Sequence, residues 1–446
     1  MDTQTAELSP TMGWILLAIF SVGWIALGIF WGRKAKNLDG FMLAGRNVGL
    51  ALGAATAMAT WVTSNTIMVA PQFGYRMGIW GMLGYASAAF GLFLFAPLAF
   101  RIRRLMPKGF TSGDFIRLRY GPSAWAIFLA ISLFYSVIWL ITMATAGGEL
   151  LNSLSGLDYH IGMSVIIFVC VVYTLFGGLF AVIGTDFIQS VIILLGVVAV
   201  GIAIMLSIDM PEAHDTIATR QPELLNAMMP VALLSFFNVM FFGWGEIMHN
   251  NVWWSRAFAM REGVSHKAFA LAGLFWLPIP IAAGFIGMMA LPLGINVPDL
   301  NQVGPMVASK VLGGVGSVAV FIVVFCSIAS SIDSLLAATS DLINEDIYRK
   351  IFHPTASEKV LRYTGSACII LLGLIAWGVG LTRQNLLNLL YMAGPFVGST
   401  IWPVMCGLLW RNTNRYAAVL GMVLGCILGW LTYEFVAWYV ATLVGT

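Results

Sequence analysis

The sequence predicts an all-α integral membrane protein of about twelve transmembrane helices, and three observations carry that prediction. Only 10% of its 446 residues are charged and 59% are hydrophobic, whereas a soluble domain carries about 25% charged residues. Apolar runs of about 20 residues recur along the whole length, as bilayer-spanning helices with internally paired backbones require. The Lys and Arg residues concentrate in alternate gaps between those runs. No stretch outside the runs is long enough to build a core of its own, so residues 1–446 read as a single transmembrane domain.

Spans are expected near 12–32, 49–69, 77–101, 122–150, 160–177, 186–207, 228–249, 268–291, 308–343, 361–382, 386–410 and 416–442. The leading MDTQTAELSP is acidic where a signal peptide is basic, and no small-residue cleavage site follows, so it is expected to be retained. With the N-terminus outside, 19 of the 23 Lys and Arg residues, Arg256 among them, fall in inside loops. Arg76, Arg220, Lys310 and Arg383 fall outside, which is the positive-inside asymmetry. The net charge of +3 is then topological, and no nucleic-acid partner is expected. All five cysteines lie inside apolar runs without CxxC spacing, so neither a disulfide nor a metal cluster is expected.

Interrupted helices are the next signal. The second span runs into Ala70, Pro71, Gln72, Phe73 and Gly74, the seventh carries Gly243 and Gly245 beside Glu246, and the eleventh carries Gly394, Pro395, Gly398 and Pro403. A backbone break in a bilayer is tolerated only under a cover of protein or along a water-filled cavity, so breaks mark a pathway. The second and seventh spans are five apart, as in a five-plus-five inverted repeat core whose two leading helices are both discontinuous. The expected organisation is an extra N-terminal helix (12–32), two repeats (49–207 and 228–410) and a C-terminal helix (416–442). This is a transporter pattern. No nucleophile–base pairing, phosphate loop or metal-ligand spacing suggests an enzyme, and no cofactor is expected.

The ninth span holds the most informative stretch, Cys326-Ser-Ile-Ala-Ser-Ser-Ile-Asp-Ser334. Helical spacing sets Ser327, Ser330, Ser331 and Ser334 in one stripe. Serine hydroxyls plus a carbonyl freed by a broken helix can supply the hard oxygens a bare Na+ prefers. The plain alternative is a seam of small residues at a close helix contact, although Asp333 on the same stripe is costly in apolar surroundings. Asp186 follows Thr185 at the expected start of the sixth span, with Gln189 three residues on. It reads either as a helix cap or as a carboxylate facing Ser330, Asp333 and Ser334.

Four stretches, ATWVTSNT (59–66), YTLFGGLFAVIGTDFIQ (173–189), CSIASSIDS (326–334) and DLINEDIYRK (341–350), resemble the sodium:solute symporter family. The resemblance covers essentially the whole chain. It implies a leucine-transporter-type core of ten helices behind one extra N-terminal helix, and sodium as the coupling ion. Anchored on Gly74-Tyr75 and Asp346-Ile347-Tyr348, it places a sodium site at Ala59, Val62, Ser327, Ser330 and Ser331. It also implies a second sodium site at Asp186, Ser330, Asp333 and Ser334, and solute contacts at Ser64, Asn65, Thr66 and Asn250. Glu246 and His249 sit near the same break, His249 reading equally as loop-facing, and Trp61, Trp244, Trp253 and Trp254 read as cavity walls or interfacial anchors.

With no Arg or Lys expected inside the broken helices, a neutral polar solute fits better than a lone carboxylate. The TWV at 60–62 and the SSIDSLLAATSDLINEDIYRK run followed by HPTAS resemble the urea-transporter branch. The expected function is therefore sodium-coupled import, by alternating access, of urea or a similarly small amide or amine. The alternatives are a symporter for proline, a sugar or a carboxylate, and a sodium-independent solute channel. A membrane-embedded enzyme would need a catalytic constellation, and a sensor an output domain. The expected setting is a bacterial inner membrane; the oligomeric state is left open.

Overall fold

Long apolar runs leave the backbone one economical way to pair its polar groups in a bilayer, and the chain is helical from end to end. The computed structural model describes residues 8–226 and 228–446. Most of the N-terminal segment expected to be retained lies outside the described residues. Among them, pairing of the sheet type is limited to one bridge, Val48 with Met260.

The helix α1 (Pro10–Gly32) precedes a short α2 (Leu38–Leu43). The second passage is made by α3 (Leu50–Trp61) and the first part of α4 (Ser64–Ala86), and α5 (Ala89–Leu105) completes the third. There follow α6 (Ser112–Tyr120), α7 (Pro122–Ser155), α8 (Tyr159–Ser207) and α9 (Met210–Arg220). The seventh passage is broken into α10 (Pro230–His249) and α11 (Asn251–Ala259), and the eighth into α12 (Ser265–Trp276) and α13 (Pro278–Met288). The ninth, α14 (Val303–Leu342), runs on as π-helical turns to Phe352. The remainder is α15 (Glu358–Gly380), α16 (Leu386–Gly398), α17 (Ile401–Leu409), α18 (Arg415–Phe435) and α19 (Ala441–Gly445).

Among the described residues, ten helical stretches are long and apolar enough to cross a membrane. Three are too long for one passage: Ser64–Leu105 has 42 residues, Tyr159–Ser207 has 49 and Leu300–Phe352 has 53. At about 1.5 Å per residue these exceed a hydrocarbon core of about 30 Å twofold. Each is interrupted at a glycine, Gly78 (φ 57°, ψ −133°), Gly178 (φ 51°, ψ −141°) and Gly313 (φ 59°, ψ −147°), with angles that L side chains rarely adopt. A Cβ on Gly78 would also lie 1.8 Å from the Leu224 carbonyl oxygen. Packing follows the reversal: along α8, Tyr173 lies against Gly28 and Gly177 against Gly32, after which Gly184 has already returned to Trp31. The reversals at Gly78 and Gly178 divide the first two of these stretches into two helical arms each.

The breaks themselves are not where Gly and Pro suggested. Residues 70–74 are helical, and α3 gives way to α4 at Val62 (φ −84°, ψ 93°) and Thr63 (φ −93°, ψ 173°). Pro71 sits inside α4, which a membrane helix tolerates when neighbours cover the freed carbonyl. Gly74, Gly243 and Gly245 are seats for close helix contact instead. A Cβ at these positions would come within 1.9 Å of the Gly284 oxygen, 2.9 Å of the Ala88 oxygen and 2.3 Å of the Val397 oxygen, respectively. The seventh passage breaks at Asn250 (φ −73°, ψ 122°), and the eleventh at Ser399 and Thr400. The twelfth ends at Phe435 rather than 442, and α19 folds back so that Gly445 packs on Pro395 and Gly429.

Candidate functional site

The end of α3 leaves carbonyls that no further helical turn takes up. Thr63 restarts the helix with a reciprocal cap, its side chain and that of Thr66 each satisfying the other's backbone N–H. Against this end lies the serine stripe of α14. The Ser330 hydroxyl is 3.1 Å from the Ala59 carbonyl oxygen, and the Ser331 hydroxyl is 3.4 Å from that of Val62. Both hydroxyls also reach the Ser327 carbonyl, at 3.1 and 2.9 Å. All five residues expected at the first sodium site therefore meet, and none is more than 1% exposed.

These separations suit a small cation. Neighbouring oxygens around an ion held at about 2.4 Å lie roughly 3.4 Å apart. The C-terminal end of a half-helix adds partial negative charge, while the five residues carry no formal charge, so a monovalent ion would suit the set better than a divalent one.

At the expected second ion site stands a side chain that charge bias puts elsewhere. Arg256 was placed in an inside loop; it lies on α11, fully buried, because that half-helix runs into the protein. Its guanidinium donates to Asp186 at 3.2 Å, Ser334 at 2.7 Å, Thr60 at 2.6 Å and Thr56 at 3.0 Å. The Thr56 hydroxyl in turn donates to Asp186 at 2.5 Å. Asp186, Asp333 and Ser334 do gather, but a protein cation stands between Asp186 and Ser334. Ser330, expected at both sites, turns its hydroxyl to the Ala59 and Ser327 carbonyls. Asp333 accepts from Tyr173 at 2.8 Å and from Ser334 at 3.2 Å. The capping reading of Asp186 fails, since α8 passes unbroken through it.

Above the serines, a cavity of about 60 Å³ lies between the two broken helices. Room for one water takes about 10–15 Å³ on this measure, so a small solute or a few waters fit. Thr66 and Asn250 line it as expected, whereas Ser64 and Asn65 do not. Ser64 turns to the Met143 sulfur at 3.3 Å. Trp61 and Trp253 form walls and pack edge to face with centroids 4.7 Å apart. Trp254 is buried elsewhere, donating to the Met248 carbonyl, and Trp244 lies off the cavity. His249 is not loop-facing: it is fully buried, with Nδ1 2.7 Å from the Gly245 carbonyl oxygen.

Sequence reasoning missed Tyr85, Tyr135, Trp139, Trp276 and Tyr391, all lining residues. Aromatic residues recur in every span, and only tertiary packing separates cavity walls from core. It also left Glu246 without a role. That carboxylate accepts from Asn250 Nδ2 at 3.0 Å through one oxygen and from Trp253 Nε1 at 3.0 Å through the other. It thereby ties α10 to α11 across their break. Ser331 belongs both to the sodium-site set and to the cavity lining.

A family model described as the sodium:solute symporter family matches residues 41–425. A probable urea active transporter 1 of Schizosaccharomyces pombe is 27% identical, over 97% of this chain and 71% of its own length. The urea-proton symporter DUR3 of Oryza sativa subsp. japonica is 28% identical over 96% and 66%, so the chain spans about two thirds of that relative. The high-affinity proline transporter PutP of Bacillus subtilis is 26% identical over 90% and 88%. Among solved structures, a Na+-coupled sialic acid symporter in a substrate-bound outward-open state superposes with a TM-score of 0.78. It shares 19% identity over 97% of this chain and 94% of its own. The fold is accordingly of the leucine-transporter type.

Proposed function

We propose, from the premise that the chain belongs to the sodium:solute symporter family, that it is a sodium-coupled importer of urea or a similarly small nitrogenous solute. The observation that carries this reading is Ser331, whose hydroxyl lies 3.4 Å from the Val62 carbonyl oxygen and which also lines the cavity. An ion held by Ala59, Val62, Ser327, Ser330 and Ser331 fixes the end of α3, and with it the threonines that face the solute. Coupling follows because each ligand then favours the arrangement the other requires. The repeats at 49–207 and 228–410 would rock about this centre, in a cytoplasmic membrane with the N-terminus outside.

We infer one coupling sodium. At the neighbouring cluster the compensating charge for Asp186 comes from Arg256, a cation that does not leave. The urea preference rests on the two urea-transporting relatives and on the small cavity; the proline relative makes proline the competing solute. Reconstituted protein is expected to take up labelled urea under an inward sodium gradient and to lose that uptake when potassium replaces sodium. Sodium-independent transport of urea, proline, sugar and acetate alike, or uptake driven by a proton gradient alone, would sink the sodium reading. In Ser330→Ala combined with Ser331→Ala, the thermal stabilisation that sodium gives the purified protein is expected to disappear.

A further inference from the structure

Among the residues lining the cavity, Glu246 is the one carboxylate, and Lys, Arg and His are absent. The carboxylate is 7% exposed and makes no ion pair among the described residues. Burying such a group without a cation is costly. The buried guanidinium of Arg256 is held instead by Asp186, Thr56, Thr60 and Ser334. Each carboxylate oxygen receives one N–H from the protein, from Asn250 and Trp253. With the Tyr135 hydroxyl also beside the group, at least one of the roughly four acceptor positions of a carboxylate stays free.

The rest of the wall completes a recognisable chemistry. Four tryptophans and three tyrosines line the cavity, Trp61, Trp139, Trp253 and Trp276 among them. Aromatic faces attract cations, most strongly where water is excluded. The Trp276 indole N–H is buried without a hydrogen bond of its own. An aromatic box with one uncompensated carboxylate is built for a flat nitrogen cation: the charge meets Glu246, an N–H group fills a free acceptor position, and the faces stack on the rings.

We infer that the cavity binds planar nitrogen cations of the amidinium and guanidinium class, with Glu246 as the recognising carboxylate, more tightly than their neutral isosteres such as urea. The inference rests on reading this cavity as the solute site. It goes further in assigning the charge of the preferred solute, and it makes urea the neutral member of a series.

Two isosteric pairs test it in the purified wild-type protein in sodium buffer, by calorimetric titration: guanidinium against urea, and acetamidinium against acetamide. The charged member of each pair is expected to bind at least about tenfold more tightly. Equal or weaker binding of the cations overturns the inference, whatever the variants do. In Glu246→Gln the advantage of the cations is expected to vanish while thermal stabilisation by sodium persists. If Glu246 only ties α10 to α11, both members of each pair weaken together in that variant, and the assignment to Glu246 falls. Sodium-driven uptake of urea alongside failed guanidinium binding would leave the importer reading standing without this inference. Tight guanidinium binding with no sodium-driven uptake of any solute would do the reverse.

Discussion

Arg256 and Asp186 illustrate how much a buried pair depends on both members. Removing one strands the other charge in a dry interior, a cost of about 3–5 kcal/mol. Arg256→Gln is therefore expected to lower stability by that order, read as thermal unfolding of the detergent-solubilised protein. Adding Asp186→Asn is expected to recover part of the loss, so a double-mutant cycle comes out non-additive; strict additivity would mean that the pair contributes nothing as a pair. The same residue bears on stoichiometry. With Arg256 holding the cluster, initial rates of uptake are expected to rise with sodium along a curve of Hill coefficient about one, and a value near two would restore a second ion. At this scale the serines of α14 were legible because helical spacing alone lines them up. Arg256 was not, because an arginine near the end of an apolar run defaults to the membrane edge. Only the inward course of α11 reveals the acceptors that make its burial affordable.

The helices owe their close approach to glycine. A Cβ on Gly74 would lie 1.9 Å from the Gly284 oxygen, and one on Gly287 would lie 2.0 Å from the Pro71 oxygen, so α4 and α13 must move apart to admit either. Gly74→Ala and Gly287→Ala are each expected to destabilise by about 1–3 kcal/mol or more. Gly23→Ala in α1 and Gly378→Ala in α15 meet nothing within 4 Å and are expected to be neutral or mildly stabilising, as Ala is in a helix. Melting temperatures of the four variants decide this, and a uniform response would refute the contact argument. The Gly and Pro signals in the sequence were real but ambiguous at this scale. They identified the passages that carry the pathway, while the chain opens at Val62–Thr63 and Asn250, positions with no marked breaker residue. The break is imposed by tertiary packing and then capped locally by Thr63 and Asn250.

For the molecule as a whole, the bias of positive charge favours the proposed orientation with the N-terminus outside. In a cysteine-free background, a single cysteine at Arg220 is expected to react with an impermeant maleimide in intact cells, and one at Lys36 only after permeabilisation. The opposite pattern would invert the topology. Hydropathy made the all-helical, membrane-spanning architecture legible, since a bilayer tolerates few other solutions. The cavity wall was not legible, because it is assembled from separate passages whose facing sides only the fold defines. The tie that Glu246 makes from α10 to Asn250 and Trp253 has a mechanical meaning at this level. It acts as a tensioned guy-line across a joint: a solute that draws on the same oxygens slackens the line, and the joint gains freedom to bend. The leverage is bounded by what those hydrogen bonds are worth, about 1.5–3 kcal/mol each for a charged acceptor, so the solute can bias the joint by roughly one to two decades per bond and no more.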